Sequence, residues 1–152
     1  ASTFAKQLFE ANEYRDYLHW HGFAVESAEA LAEMWHKRIR EELGIATSDA
    51  KDMRKLFAQG YQGARYAFGY PACPDHSIKE GLFELLGASE VGMSVTESMA
   101  MLPAASVSGF YFSHPDSTYF NVGKISDDQV QDLAQRSGVS LPTLKRFLGP
   151  NL

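Results

Sequence analysis

Along the first third of the chain, apolar residues recur with helical spacing. Residues 3–18 read as a first helix, with Phe4, Leu8, Phe9 and Leu18 among its apolar positions. Residues 21–43, HGFAVESAEALAEMWHKRIREEL, carry the strongest helical pattern. Phe23, Leu31, Met34, Trp35 and Ile39 share a broad apolar face, and Glu29, Glu33, Lys37 and Arg40 lie elsewhere. Gly44 is placed to stop this helix, and Ser48 or Asp49 to cap a short one through Leu56. Periodicity then disappears. Residues 59–76 read as a long loop, ordered by Tyr61, Tyr66, Phe68 and Tyr70.

Pro74-Asp75 opens a helix over HSIKEGLFELLG that ends near Gly87. Alternating patterns follow. GMSVTESMAM offers Met93, Val95 and Met99 to one face of a strand, and ASVSGFYFSH and STYFNVGKI read as two strands joined by the turn SHPDS. Those two are expected to form a hairpin. SDDQVQDLAQRSG then reads as a helix with Ser126 as N-cap and Gly138 as stop. SLPTLKRFLG makes a last helix, starting near Ser140 with Pro142 in its first turn. This order predicts one α+β domain over residues 1–152, with N-terminal helices, an antiparallel sheet and C-terminal helices.

Composition narrows the partners. A net charge of −5 without a basic stripe argues against nucleic acid, which needs clustered Lys and Arg. No apolar run reaches the length of a membrane span, so no membrane partner is expected. The single cysteine, Cys73, excludes an internal disulfide framework and fits a reducing compartment, the cytoplasm.

The chemistry concentrates in GARYAFGYPACPDHS, residues 63–77. Cys73 and His76 are spaced to form a thiol–imidazole pair ahead of a helix, or Cys73 is a small packed residue in a rigid loop. No set of ligands for a metal is evident, because His19-x-His21 points to two helix faces and no CxxC exists. Arg65 in this loop is suited either to fork onto a carboxylate or phosphate or to make a surface ion pair. No residue is assigned a catalytic role.

GARYAFGYPACPDH and SVTESMAMLPAASVSGFYFSHPDSTYFNVGKI together resemble the activation domain of cobalamin-dependent methionine synthases, and ALAEMWHKRIREELG resembles the helix ahead of the loop. The resemblance runs from about Ala28 to Leu152 and rests on the pattern Arg-x-x-x-Gly-Tyr-Pro-Ala-Cys-Pro. It implies the C-terminal part of a domain that binds S-adenosylmethionine, which in the family is longer and draws an acidic ligand contact from further upstream. The implied function is reductive methylation and reactivation of cob(II)alamin, within an enzyme that makes methionine from homocysteine and methyltetrahydrofolate. The implied cofactors are S-adenosylmethionine and a cobalamin held by another domain. The implied partners are that cobalamin-binding domain and a flavodoxin-type electron donor.

Carried over by position, Arg65, Tyr119 and Phe120 are expected to bind S-adenosylmethionine, Phe120 standing where a tyrosine can occur. Gly69, Tyr70, Pro71 and Ala72 are expected to form a loop facing cobalamin. Strand alternation predicts that Tyr119 turns its side chain to the ligand while Phe120 offers backbone or packs inward. Two other readings remain open at this point: a thiol enzyme using Cys73 and His76, and a ligand-free domain that docks a flavodoxin-like protein.

Overall fold

The computed structural model describes residues 2–152, which divide into two compact units. The first comprises the described residues up to Asp49 together with Phe83–Val107; the second comprises Ala50–Leu82 and Ser108–Leu152.

In the first unit, α1 (Ser2–Glu10) and α2 (Tyr14–Glu42) are separated at Asn12, whose φ is +60°. The break therefore falls earlier than the expected one near residue 20. Asparagine enters the left-handed region more readily than most side chains, so the chain turns there without glycine or proline. Phe4 packs edge-on against Trp20 with ring centroids 5.0 Å apart, and Phe9 against Tyr17 at 5.4 Å.

The buried stripe of α2 is not the predicted one. Ala32, His36 and Arg40 are buried at four-residue spacing, while Phe23, Leu31, Met34 and Trp35 are exposed. Arg40, expected on a polar face, is 1% exposed and donates from Nε and Nη2 to Asp49, with Nη2 2.8 Å from Oδ2. A bidentate carboxylate makes burial of the guanidinium tolerable. The Asp49 side chain is thus engaged by Arg40 and does not N-cap the short helix that follows. Gly44 stops α2 as expected: its N–H donates to Glu41, and that of Ile45 to Arg40. The unit also holds β2 (Ser94–Val95) and β3 (Met101–Leu102), which form a two-stranded antiparallel ribbon closed by buried Met99.

The second unit begins with α3 (Met53–Phe57), whose cap is Asp52; its Oδ1 accepts from the Lys55 N–H at 3.1 Å. Within the predicted loop lies β1 (Ala64–Ala67). It pairs antiparallel with β4 (Gly109–Phe112) in the register Ala64–Phe112, Arg65–Tyr111, Tyr66–Phe110 and Ala67–Gly109. The expected hairpin across SHPDS does not form, because β4 takes β1 as its partner and residues 118–125 are no regular strand. Gly63 and Gly109 permit this pairing: a Cβ on either would lie 2.1 Å from a carbonyl oxygen, that of Phe112 or Tyr66 respectively.

Between these strands in sequence lies α4 (Ile78–Leu85), preceded by Asp75, whose Oδ1 accepts from the Ser77 N–H at 2.8 Å. The C-terminal helices follow the local signals closely. α5 (Asp127–Ser137) starts at Ser126, whose N–H donates to Gln129 Oε1 at 2.9 Å, and stops at Gly138. α6 (Leu141–Phe147) is capped by Ser140. Val130, Leu144 and Leu148 form the centre of this unit's core, with Ile125, Leu133 and Leu141 packed around them. The class is α+β, with its antiparallel pairing divided between two small ribbons.

Two nearby aspartates should differ in weight. Asp49→Ala leaves a buried guanidinium without its carboxylate and is expected to cost about 3–5 kcal/mol. Asp52→Ala removes one exposed helix cap and is expected to cost about 0.5–2 kcal/mol. Urea unfolding of both variants checks the order.

Candidate functional site

The loop–strand segment 63–77 is organised around Tyr66. Its ring lies 5.0 Å from Phe112, 5.9 Å from Tyr119 and 5.7 Å from Phe120, measured between centroids. Its hydroxyl donates to the Thr118 carbonyl at 2.6 Å. Four residues on, the Val122 N–H donates to the Pro71 carbonyl at 2.9 Å. Two hydrogen bonds thus tie residues 118–122 to β1 and the loop after it.

That loop is a tight turn. The Gly69 N–H donates to the Cys73 carbonyl at 2.8 Å and the Cys73 N–H to the Tyr70 carbonyl at 2.9 Å. Gly69 has a φ of +86°, where a side chain would be strained. Tyr70 is 56% exposed, and Ala72 is buried. Pro71 is exposed as well.

Tyr119 and Phe120 are both brought against Tyr66, and both are exposed, at 41% and 51%. The expected opposition of their side chains fails because no pleat exists there, and Phe120 does not pack into the core. Arg65 is partly buried and lies across from Tyr111 in the ribbon. Alternation along β1 directs Arg65 and Tyr111 to one face and Tyr66 and Phe110 to the other. The structure therefore gathers Tyr119, Phe120 and the Pro71 loop on the Tyr66 side, with Arg65 one residue away and facing oppositely. Tyr66 itself went unassigned in the sequence. Its signal was an aromatic residue beside the candidate arginine, but its role depends on a segment that returns more than fifty residues later.

Cys73 lacks the electrostatics of a nucleophile. Burial, and then the Asp75 carboxylate, push its thiol pKa up, so the thiolate is disfavoured. Burial, and then the Lys79 ammonium, hold the His76 imidazole below its ordinary value, with a smaller upward pull from Asp75. His76 Nδ1 is 3.1 Å from Lys79 Nζ, which makes that nitrogen an acceptor. The thiol-enzyme reading is therefore not favoured. Among the described residues no three His, Cys, Asp or Glu side chains converge as metal ligands, and no helix is long and apolar enough to cross a membrane.

Residues 2–138 match the family model described as "Vitamin B12 dependent methionine synthase, activation domain". The chain belongs to that family. It is 44% identical over 127 residues to the methionine synthase of Mycobacterium tuberculosis and 46% identical over 127 residues to that of Mycobacterium leprae. Each alignment takes in 80% of this chain but only 11% and 10% of those enzymes. The crystal structure of the MetH reactivation domain bound to AdoHcy superposes with a TM-score of 0.89 at 42% identity. It covers 99% of this activation-domain chain, which spans 47% of that one.

Two measurements test the site's construction. Tyr66→Phe should cost about 0.5–1.5 kcal/mol, the worth of one neutral hydrogen bond, in thermal or urea unfolding. Thiol labelling across a pH series should place the Cys73 midpoint above that of an unstructured cysteine peptide; a midpoint below it would restore the nucleophile reading.

Proposed function

We propose that this chain is the S-adenosylmethionine-binding part of a methionine synthase activation domain and serves the reductive methylation that returns cob(II)alamin to use. The observation that carries the reading is the exposed aromatic group of Tyr119 and Phe120 on Tyr66, beside Arg65, in a chain 42% identical to a reactivation domain solved with AdoHcy.

The donor set fits the ligand. A guanidinium forks onto the carboxylate of the methionine end, and aromatic walls suit both the sulfonium and the adenine. These ends of the ligand lie apart, so one molecule can reach Arg65 on one face of β1 and the rings on the other. It would pass along the edge of β1 that no strand pairs among the described residues. Tyr119 contributes its ring and hydroxyl, and Phe120 its ring alone. Gly69, Tyr70, Pro71 and Ala72 form a rigid, protruding turn suited to face cobalamin held by another domain of the enzyme.

When bound, S-adenosylmethionine supplies an activated methyl group, whose transfer from sulfur moves no proton. The chain accordingly needs no acid or base, and its residues bind and orient. The reading includes a flavodoxin-type electron donor as partner and, with its lone cysteine as a free thiol, a cytoplasmic location.

Titration calorimetry with S-adenosylmethionine tests the assignment. Arg65→Ala should weaken binding by about 1.5–3 kcal/mol, and Arg65→Lys should recover only part of it. Tyr119→Phe should lose about 0.5–1.5 kcal/mol, and Tyr119→Ala more, since ring contact goes too. Wild-type affinity in Arg65→Ala would confine the ligand to the Tyr66 face; wild-type affinity in Tyr119→Ala would remove it from that face.

A further inference from the structure

Behind the Gly69–Ala72 turn stands an assembly that ligand binding as described does not use. His76 presses its ring against Gly69 so closely that a Cβ there would lie 1.9 Å from Cε1 and 2.3 Å from Nε2. Phe147 of α6 meets the ring at 6.2 Å between centroids, and Lys79 of α4 reaches Nδ1 at 3.1 Å. Lys79 is only 5% exposed. An ammonium has protons to give and no lone pair, so the Nδ1 it meets is unprotonated and the neutral ring keeps its proton on Nε2. The imidazole is thus held from two helices and wedged under the one residue of the turn that has no side chain to obstruct it.

We propose that His76 is a positioning residue: its neutral ring holds the Gly69–Cys73 turn in place, and protonating it loosens the turn and weakens S-adenosylmethionine binding. The inference rests on the ligand reading above. A proton on Nδ1 would face the Lys79 ammonium directly, and the Lys79–His76 hydrogen bond would be lost. The charged groups that act on the ring are Lys79 from α4 and Asp75 from the loop; Arg146 of α6 lies over Phe147, 4.8 Å from that ring's centroid. Burial and Lys79 disfavour the imidazolium; Asp75, the weaker influence, favours it. Because the folded ring titrates below the usual value of about 6.5, the ordered turn is fully present above that pH and is lost as pH falls toward the folded value.

Two readouts test this. Calorimetry from about pH 7.5 to about pH 5.5 should show wild-type affinity for S-adenosylmethionine falling by up to about tenfold on acidification. His76→Gln, which keeps an acceptor for Lys79 but cannot titrate, should bind with a flat pH profile. Lys79→Met, which removes the like charge, should move the loss to higher pH. Independently of ligand, His76→Ala should lower the amide-exchange protection of Gly69 and Cys73 by about tenfold or more while Val130 in α5 keeps its own. If His76→Ala does not fold, His76→Gln at acid pH should retain the protection that wild type loses. A flat wild-type pH profile, or unchanged Gly69 and Cys73 protection in folded His76→Ala, overturns the proposal. Absence of wild-type binding at every pH overturns the ligand reading instead, and exchange at Gly69 and Cys73 then decides whether His76 positions the turn.

Discussion

The approach of two backbones at Gly63 and Gly109 is the constraint on which the candidate site depends. At each, the space a Cβ would need is already taken by a carbonyl oxygen of the partner strand. The ribbon is only four residues long, so neither end has further rungs to compensate for displacement at the other. Its register decides that Arg65 lies beside Tyr111 and that Tyr66 turns toward Phe112. Tyr66 in turn fixes where residues 118–120 can run. The positions of the candidate side chains thus follow from two residues that have none.

The second unit combines a conventional interior with an unusual exterior. Its helices close over Val130, Leu144 and Leu148, which are almost completely withdrawn from water. Phe110, Tyr111 and Phe112 on β4 stay substantially exposed, as do Tyr119 and Phe120. Aromatic rings left in water at the ribbon give a surface ready to exchange solvent for an organic cation or a flat heterocycle. The interior supplies the rigidity, and the ribbon supplies the exposed aromatic surface on which the proposed binding rests.

Features whose causes lie within a few residues were legible in the sequence. Ser126, Ser140 ahead of Pro142, and the stops at Gly44 and Gly138 act locally, and the helix ends they mark were read correctly. The α1–α2 break was misplaced because Asn12 is a weak local signal. The face of α2 was misread because a charged residue, Arg40, is buried through a partner nine positions away. β1 escaped notice because ARYA has no alternation and gains its partner from residues 109–112. At the site, Arg65 was singled out as an arginine in an aromatic, glycine-rich loop, and family resemblance then gave its expected ligand and named Tyr119 and Phe120. The centre of the cluster, Tyr66, and the Lys79 behind His76 could be recognised only once distant segments had been placed.

The two compact units are woven from alternating stretches of chain: the path leaves the first after Asp49, returns at Phe83 and leaves again after Val107. Neither unit corresponds to one uninterrupted reading segment. A recombination event with a single breakpoint, or a deletion meant to excise one unit, would cut into the other. Separating the two units intact would take breaks at three places in the chain, after Asp49, before Phe83 and after Val107.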